Sequence, residues 1–401
     1  MFTTNDDWTL RTLPASPFYR RLPALLEGTE APPGLAPIDL SLGNPAGNPP
    51  AFVRGILDAH FDEYQKYAPS AGTPEVKRAF ADYLKRRHGI PAETLDPEAH
   101  VVHVAGTREA LFMLPFTVAG AGTAGSYALI PNPAYPSYEA GARSAGFVPV
   151  SLPTTPESGF LPDFWSVPAD VLKRTRMIYL CSPSNPHGAV PSAEYLARLV
   201  ALARETGALL VLDECYADLY YDREPPLTVL RTALDGDGTF SNVVATHSLS
   251  KRSSLPGLRS GIVTGDPVIL ARLRHMRENG AVAAPRPVCA AATAIWQDDA
   301  HVAENREYYR RLFDIAERRL GNRFGFRRPA GGFFLWLDVG NGEHAARRLW
   351  AEGAVRAIPG SYLAAPEADG TSCGDAYLRV ALIRDEATID DALTRLVDVL
   401  G

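Results

Sequence analysis

The chain has 401 residues, 46% of them hydrophobic and 21% charged, with Gly and Pro spread along its length. That is enough for one large domain with a smaller one attached, and the near-average composition gives no basis for disorder or low complexity. A formal net charge of −6, with no basic run longer than Lys85-Arg86-Arg87, argues for a solvated helix face and for no nucleic-acid partner, while four scattered cysteines without CxxC or Cys/His spacing suggest no metal site and no disulfide framework.

The opening segment MFTTNDDWTLRTLP has two aspartates and no apolar stretch of leader-peptide length, and no later run is long enough for a bilayer, so a soluble cytoplasmic protein with no membrane association is expected. Pro23, Pro32, Pro33, Pro37, Pro45, Pro49 and Pro50 break regular helices and predict an extended arm over residues 1–50 that lies partly on the smaller domain. From about residue 100, short apolar runs alternate with amphipathic stretches of helical length. The strands are expected at Val101–Ala105, Tyr127–Ile130, Met177–Cys181, Ala208–Asp213, Val243–His247 and Gly261–Thr264. The helices are expected at Arg108–Ala119, Ser137–Gly146, Ala193–Thr206 and Pro267–Glu278. Crossover helices of this length imply a mostly parallel α/β sheet, here assigned to a large domain over 51–285. After residue 285 the order changes to helices at Val288–Asp298 and Val302–Leu320, strands around Gly332–Asp338 and Tyr377–Ile383, and a final helix after Arg384, which reads as a smaller α+β domain over 286–401.

Four motifs stand at strand ends, where ligands sit in open α/β sheets. In Ser248-Leu249-Ser250-Lys251, followed by Arg259, a lysine able to act as a nucleophilic amine lies beside two hydroxyls and a guanidinium that can grip a phosphate. An ordinary surface loop is the alternative. In Asp213-Glu214-Cys215-Tyr216, a carboxylate ends the apolar run Leu209–Leu212, where it needs a cation; a helix N-cap serves it equally well. Tyr216 can donate to a ring oxygen. The turn Ser182-Pro183-Ser184-Asn185-Pro186-His187-Gly188 holds the Asn185 amide rigidly, with or without a functional role. In Gly106-Thr107-Arg108 a strand runs through glycine into a helix N-terminus, a ready anion site.

In order and spacing, these motifs resemble the fold-type I, class I/II aminotransferases, which depend on pyridoxal 5'-phosphate (PLP), and the likeness runs from about Leu42 to the C-terminus. The resemblance implies that Lys251 carries the cofactor and moves the substrate proton, that Asp213 faces the pyridine nitrogen, and that Tyr216 and Asn185 hold the ring oxygen. It places Gly106, Thr107, Arg108, Ser248, Ser250 and Arg259 at the phosphate, and Tyr135 against the ring. It implies that Tyr67 reaches the phosphate of a neighbouring subunit, hence a homodimer with shared active sites. Arg379, with Asn185 and the backbone of Gly43, would clamp the α-carboxylate of amino acid and keto acid substrates.

Three longer stretches, Ser250–Gly261, Ala294–Arg306 and Pro359–Leu363, are similar to N-succinyldiaminopimelate aminotransferases of lysine biosynthesis. Glutamate would then donate the amino group to N-succinyl-2-amino-6-ketopimelate, with Arg252 or Arg286 reading a distal carboxylate. The sequence departs from the family pattern at His187, where threonine is usual, at Glu278–Ala281, and at Gly370–Gly374. All three departures lie on the substrate side, so an aminotransferase for another amino acid or secondary metabolite, or a PLP-dependent lyase, is the alternative.

Overall fold

A computed structural model describes residues 18–120, 123, 125–367 and 369–401. The opening segment MFTTNDDWTLRTLP lies outside the described residues. The strands in chain order are β1 (Ile38–Asp39), β2 (Val101–Val104), β3 (Tyr127–Asn132), β4 (Val148–Pro153), β5 (Thr175–Cys181), β6 (Leu209–Asp213), β7 (Val243–Ser248), β8 (Gly261–Gly265), β9 (Phe334–Asp338), β10 (Val355–Arg356), β11 (Ile358–Pro359) and β12 (Tyr377–Ala381).

Seven strands form the main sheet in the order β2-β8-β7-β6-β5-β3-β4. The pairs from β7 through β4 are parallel, whereas β8 runs antiparallel to both β7 and β2. A mostly parallel sheet requires crossover helices on both faces, and so buries both. On β6, Leu210 and Leu212 enter one core while Leu209 and Val211 enter the core on the opposite face. This period of two explains why the run reads as continuously apolar. The fold is α/β, as expected. All six strands anticipated between residues 100 and 280 are present within one or two residues, as are the helices Thr107–Val118, Pro136–Ser144, Ala193–Thr206 and Pro267–Gly280.

A second core surrounds the three-stranded antiparallel sheet β11-β12-β9 and draws in the helices Ala300–Leu320, Gly342–Gly353 and Glu386–Leu400. The N-terminal segment joins this core. Leu22, Leu25 and Leu26, at helical spacing, are buried in it, and β1 pairs in parallel with β10. The expectation of an arm without regular helix is therefore corrected. Residues Phe18–Leu26 form a helix with Pro23 inside it, because the buried leucine face outweighs the backbone hydrogen bond that proline cannot make.

Two further expectations change. The order of elements along the chain groups helix Arg286–Gln297 with the smaller domain, but Ala291, Ala292, Ile295 and Trp296 are buried in a core of the main sheet. Its alanine-rich face fits closely against helix Pro74–His88, which the sequence patterns do not single out. The basic run Lys85–Arg87 is also not wholly solvated, since Arg87 donates to the buried Asp218 at 3.0 Å. Among the described residues, no helix is long and apolar enough to cross a membrane, and no cluster of His, Cys, Asp and Glu could hold a metal ion.

Candidate active site

The parallel register sets Cys181 beside Asp213 and Asp213 beside Thr246, so the ends of β5, β6 and β7 converge at one edge of the sheet. Over that edge opens a cavity of about 860 Å³, with β12 of the smaller sheet closing its other side. Of the residues singled out by sequence, Gly43, Thr107, Arg108, Tyr135, Asn185, Asp213, Tyr216, Ser248, Ser250, Lys251, Arg259 and Arg379 line it.

Asp213 is 3% exposed. It shares a parity with Leu209 and Val211, so its side chain continues along that face to where Tyr138 lies. One carboxylate oxygen accepts from Tyr138 Oη at 2.8 Å; the other accepts from Thr246 Oγ1 at 3.1 Å and from the Cys215 backbone N–H at 3.2 Å. Burial pushes its pKa up, and these donors oppose that rise. The result is a fixed carboxylate with little water around it, suited to a cationic partner.

Lys251 sits in the single helical turn Leu249–Arg252, capped by Ser248 Oγ, which accepts from the Ser250 N–H at 3.1 Å. Its Nζ donates to the carbonyl oxygen of Gly43. Burial at the cavity wall lowers its pKa to about 8, and the guanidinium groups of Arg379 and Arg108 act in the same direction. A lysine so placed supplies free amine near neutral pH.

The cup at the far end depends on backbone shape. Gly106 has φ +90°, and a Cβ there would stand 2.1 Å from Arg259 Nη2. That φ favours glycine, and a Cβ would push aside the guanidinium, which donates to Ala105 O at 3.2 Å and to Pro256 O at 2.9 Å. Gly106 thus shapes the cup from behind instead of lining it. Arg108 donates to Tyr135 Oη at 2.6 Å. Two guanidiniums, the hydroxyls of Thr107, Ser248 and Ser250, and the N-terminus of helix Thr107–Val118 form a donor set for a phosphate.

On the opposite wall Arg379 is buried, donating to Ser41 O at 2.8 Å and to Asn185 Oδ1 at 3.2 Å, with Phe334 4.3 Å below the guanidinium. Burial brings its pKa down to about 10, so it remains charged at neutral pH. Tyr216 is buried with its ring edge-on to Phe333 and Phe334, and burial holds its phenol well above the usual range.

Three expected residues lie elsewhere. Tyr67 is outside this cavity and fully exposed. Arg252, considered for a distal carboxylate, is 2% exposed and engaged by Asp218 at 2.9 Å, Asp299 at 2.9 Å and the carbonyl oxygen of Ile295 at 3.1 Å. It is a structural ion-pair residue: the second carboxylate it was to read would have to displace two already bound. Arg286 is also outside the cavity, donating to the Tyr67 carbonyl oxygen at 3.0 Å. Sequence reasoning missed Tyr138, Thr246 and Phe334. Tyr138 carried a usable signal, standing one helical turn after Tyr135.

The class I and II aminotransferase family model matches residues 36–396, nearly the whole chain. The chain belongs to this family. Its members are PLP-dependent enzymes, and this protein is a PLP-dependent aminotransferase with the fold-type I architecture. It is 35% identical over 390 residues to 4-dedimethylamino-4-oxo-anhydrotetracycline transaminase OxyQ of Streptomyces rimosus, covering 96% of this chain and all of that one. It is 32% identical to an LL-diaminopimelate aminotransferase of Desulforudis audaxviator, covering 98% of this chain and 97% of the relative. Among solved structures, an aminotransferase from Neisseria meningitidis superposes with a TM-score of 0.91 at 33% identity, covering 96% of this chain and 98% of the other. These relatives support aminotransferase chemistry in general and do not single out a succinylated substrate.

The site fits the cofactor on its own chemistry. An amine, a buried carboxylate and a phosphate donor set face one cavity, and the cup is kept open at a glycine whose Cβ would strike Arg259.

Proposed function

We propose that the enzyme takes the amino group of an amino acid such as glutamate and transfers it to a keto acceptor, working as a homodimer. The observation that carries this reading is the convergence of Lys251, Asp213 and Arg379 on one cavity with the Arg108–Arg259 cup. PLP, when bound, acts as an electron sink for the bond broken at the substrate Cα.

In this reading Arg108, Arg259, Thr107, Ser248 and Ser250 hold the phosphate. Asp213, fixed by Tyr138 and Thr246, keeps the ring nitrogen protonated. Tyr216 and Asn185 hold the ring oxygen, and Tyr135 lies against the ring. Arg379 would hold the substrate carboxylate and so aim the Cα–H bond, and Lys251 Nζ would carry the proton from that carbon. Tyr67 completes the phosphate site of the partner. Its full exposure supports this, as does the neighbouring exposure of Phe61 and Tyr64.

The acceptor is open to two readings. An acidic one, such as N-succinyl-2-amino-6-ketopimelate, needs a further cation, because among the described residues the Arg and Lys side chains lining the cavity are Arg108, Lys251, Arg259 and Arg379. Arg286, tied to Tyr67, would enter a partner's site together with it and could read either that group or the distal carboxylate of glutamate. The second reading is a bulky ring ketone, such as the 4-oxo-anhydrotetracycline in the name of OxyQ; the apolar wall of Leu42, Phe160, Leu161 and Leu363 favours it.

Glutamate added to the purified yellow enzyme tests the reading. Loss of the visible absorbance of lysine-bound cofactor with formation of 2-oxoglutarate supports it, while ammonia release with the absorbance regenerated would indicate a lyase.

A further inference from the structure

The turn that carries Asn185 to Arg379 also carries His187, two residues on, into the cavity wall. Its imidazole is sandwiched between aromatic rings. Phe160 stacks on it at 4.5 Å and 12°, and Trp336 meets it edge-on at 5.2 Å. Trp336 is itself stacked on Tyr377 at 4.9 Å, and on the small sheet it is the direct cross-strand partner of Arg379. The histidine is therefore fixed by the same strand pair that fixes the carboxylate clamp.

Phe160 has a backbone conformation that residues other than glycine rarely adopt. Its φ is +60°, directly after Gly159 at +64°, so two successive left-handed residues deliver its ring to the wall. Backbone strain of this kind persists where surrounding contacts impose it, and it concentrates at ligand sites.

The imidazole lines the cavity, yet its Nε2 is shut off from solvent with no hydrogen-bond partner among the described residues. Burial lowers its pKa to about 3, so the ring is neutral and carries a single N–H. An unpaired N–H is the costlier group to leave in a sealed position, which assigns the proton to Nδ1. A rigid donor then stands beside the Phe160 ring, next to the Asn185–Arg379 clamp.

We propose that His187 is a specificity-determining residue that donates from Nδ1 to a neutral oxygen on a ring-bearing keto acceptor, whose planar body packs along the Phe160 wall. The inference rests on the aminotransferase reading above and deepens it by naming the class of acceptor. An apolar wall accepts the ring, and one fixed donor discriminates oxygenated rings from bare ones, since a site built to hydrogen-bond a substituent rejects the analogue lacking it.

The test uses PLP-loaded enzyme with glutamate as donor and two acceptors, 4-hydroxyphenylpyruvate and phenylpyruvate. The wild type should turn over both and favour the hydroxylated one. His187→Phe keeps the stack and removes the donor, so the ratio of kcat/KM between the two acceptors should fall about tenfold, equivalent to about 1.4 kcal/mol, mainly through KM. His187→Asn restores a donor and should recover most of the ratio, which a purely structural role would not do. A ratio unmoved by His187→Phe, or not recovered by His187→Asn, overturns the proposal. So does failure of the wild type to use either ring acceptor while glutamate still bleaches the cofactor, in which case the aminotransferase reading stands. If glutamate bleaches nothing, both fall.

Discussion

Lowering the pH of the cofactor-free protein should slow its capture of PLP in a way that reports the environment of Lys251. The attacking species is the free amine, and burial disfavours the ammonium form, lowering the pKa from 10.5 to about 8. At pH 7 about 9% of such a lysine is free amine, against about 0.04% of an ordinary exposed lysine, an advantage of roughly 200-fold. Between about pH 6 and pH 9 the free fraction rises from about 1% to about 90%, so the rate should climb close to 90-fold and level off beyond. The assay is the growth of visible absorbance on mixing cofactor with stripped enzyme, with Lys251→Ala as a control that should show no specific colour. A rate that rises tenfold per pH step through pH 10 without levelling would refute the reasoning, because it would mean an amine bathed in solvent.

Three other outcomes are expected. Tyr138→Phe removes the shortest donor to Asp213, worth about 1.5–3 kcal/mol for a charged acceptor, so the carboxylate should hold a proton more readily and kcat should fall about tenfold or more in steady-state assays; unchanged kcat would contradict the role given to that bond. Gly106→Ala places a methyl 2.1 Å from Arg259 Nη2 at a φ of +90°, and should weaken cofactor binding about tenfold or more by equilibrium dialysis. Asp218→Ala strips the shared carboxylate from Arg87, Arg252 and Tyr83, which lie within 3.0 Å of it, and should cost about 3–5 kcal/mol of stability in urea unfolding; a loss below about 1 kcal/mol would show that the guanidiniums find other partners.

The cofactor side of the site was legible because it is local in sequence. Lys251, Ser248 and Ser250 share one turn, Gly106, Thr107 and Arg108 another, and Asp213 ends a strand whose apolar run announces burial on both faces. The sheet was legible for the same reason: its strands are short apolar runs, most of them followed by an amphipathic helix, although helix Val229–Asp237 between β6 and β7 was not anticipated. What escaped depends on contacts between distant elements. Tyr138 meets Asp213 across 75 positions, and Arg252 looked available until Asp218 and Asp299 met it from two other elements. Helix Phe18–Leu26 was hidden by Pro23, since local propensity gives no account of a leucine face that a distant core buries. The His187 turn was visible as a departure from the family pattern, but the Phe160 and Trp336 rings that give it meaning come from residues 27 positions before it and 149 after it.

The proposed chemistry depends on a covalent link between Lys251 Nζ and PLP. Borohydride reduction of the yellow enzyme, followed by peptide mass spectrometry, should place one stable pyridoxyl-phosphate adduct on the peptide containing Lys251. An adduct on a different lysine, or none on protein that has taken up the cofactor, would contradict it.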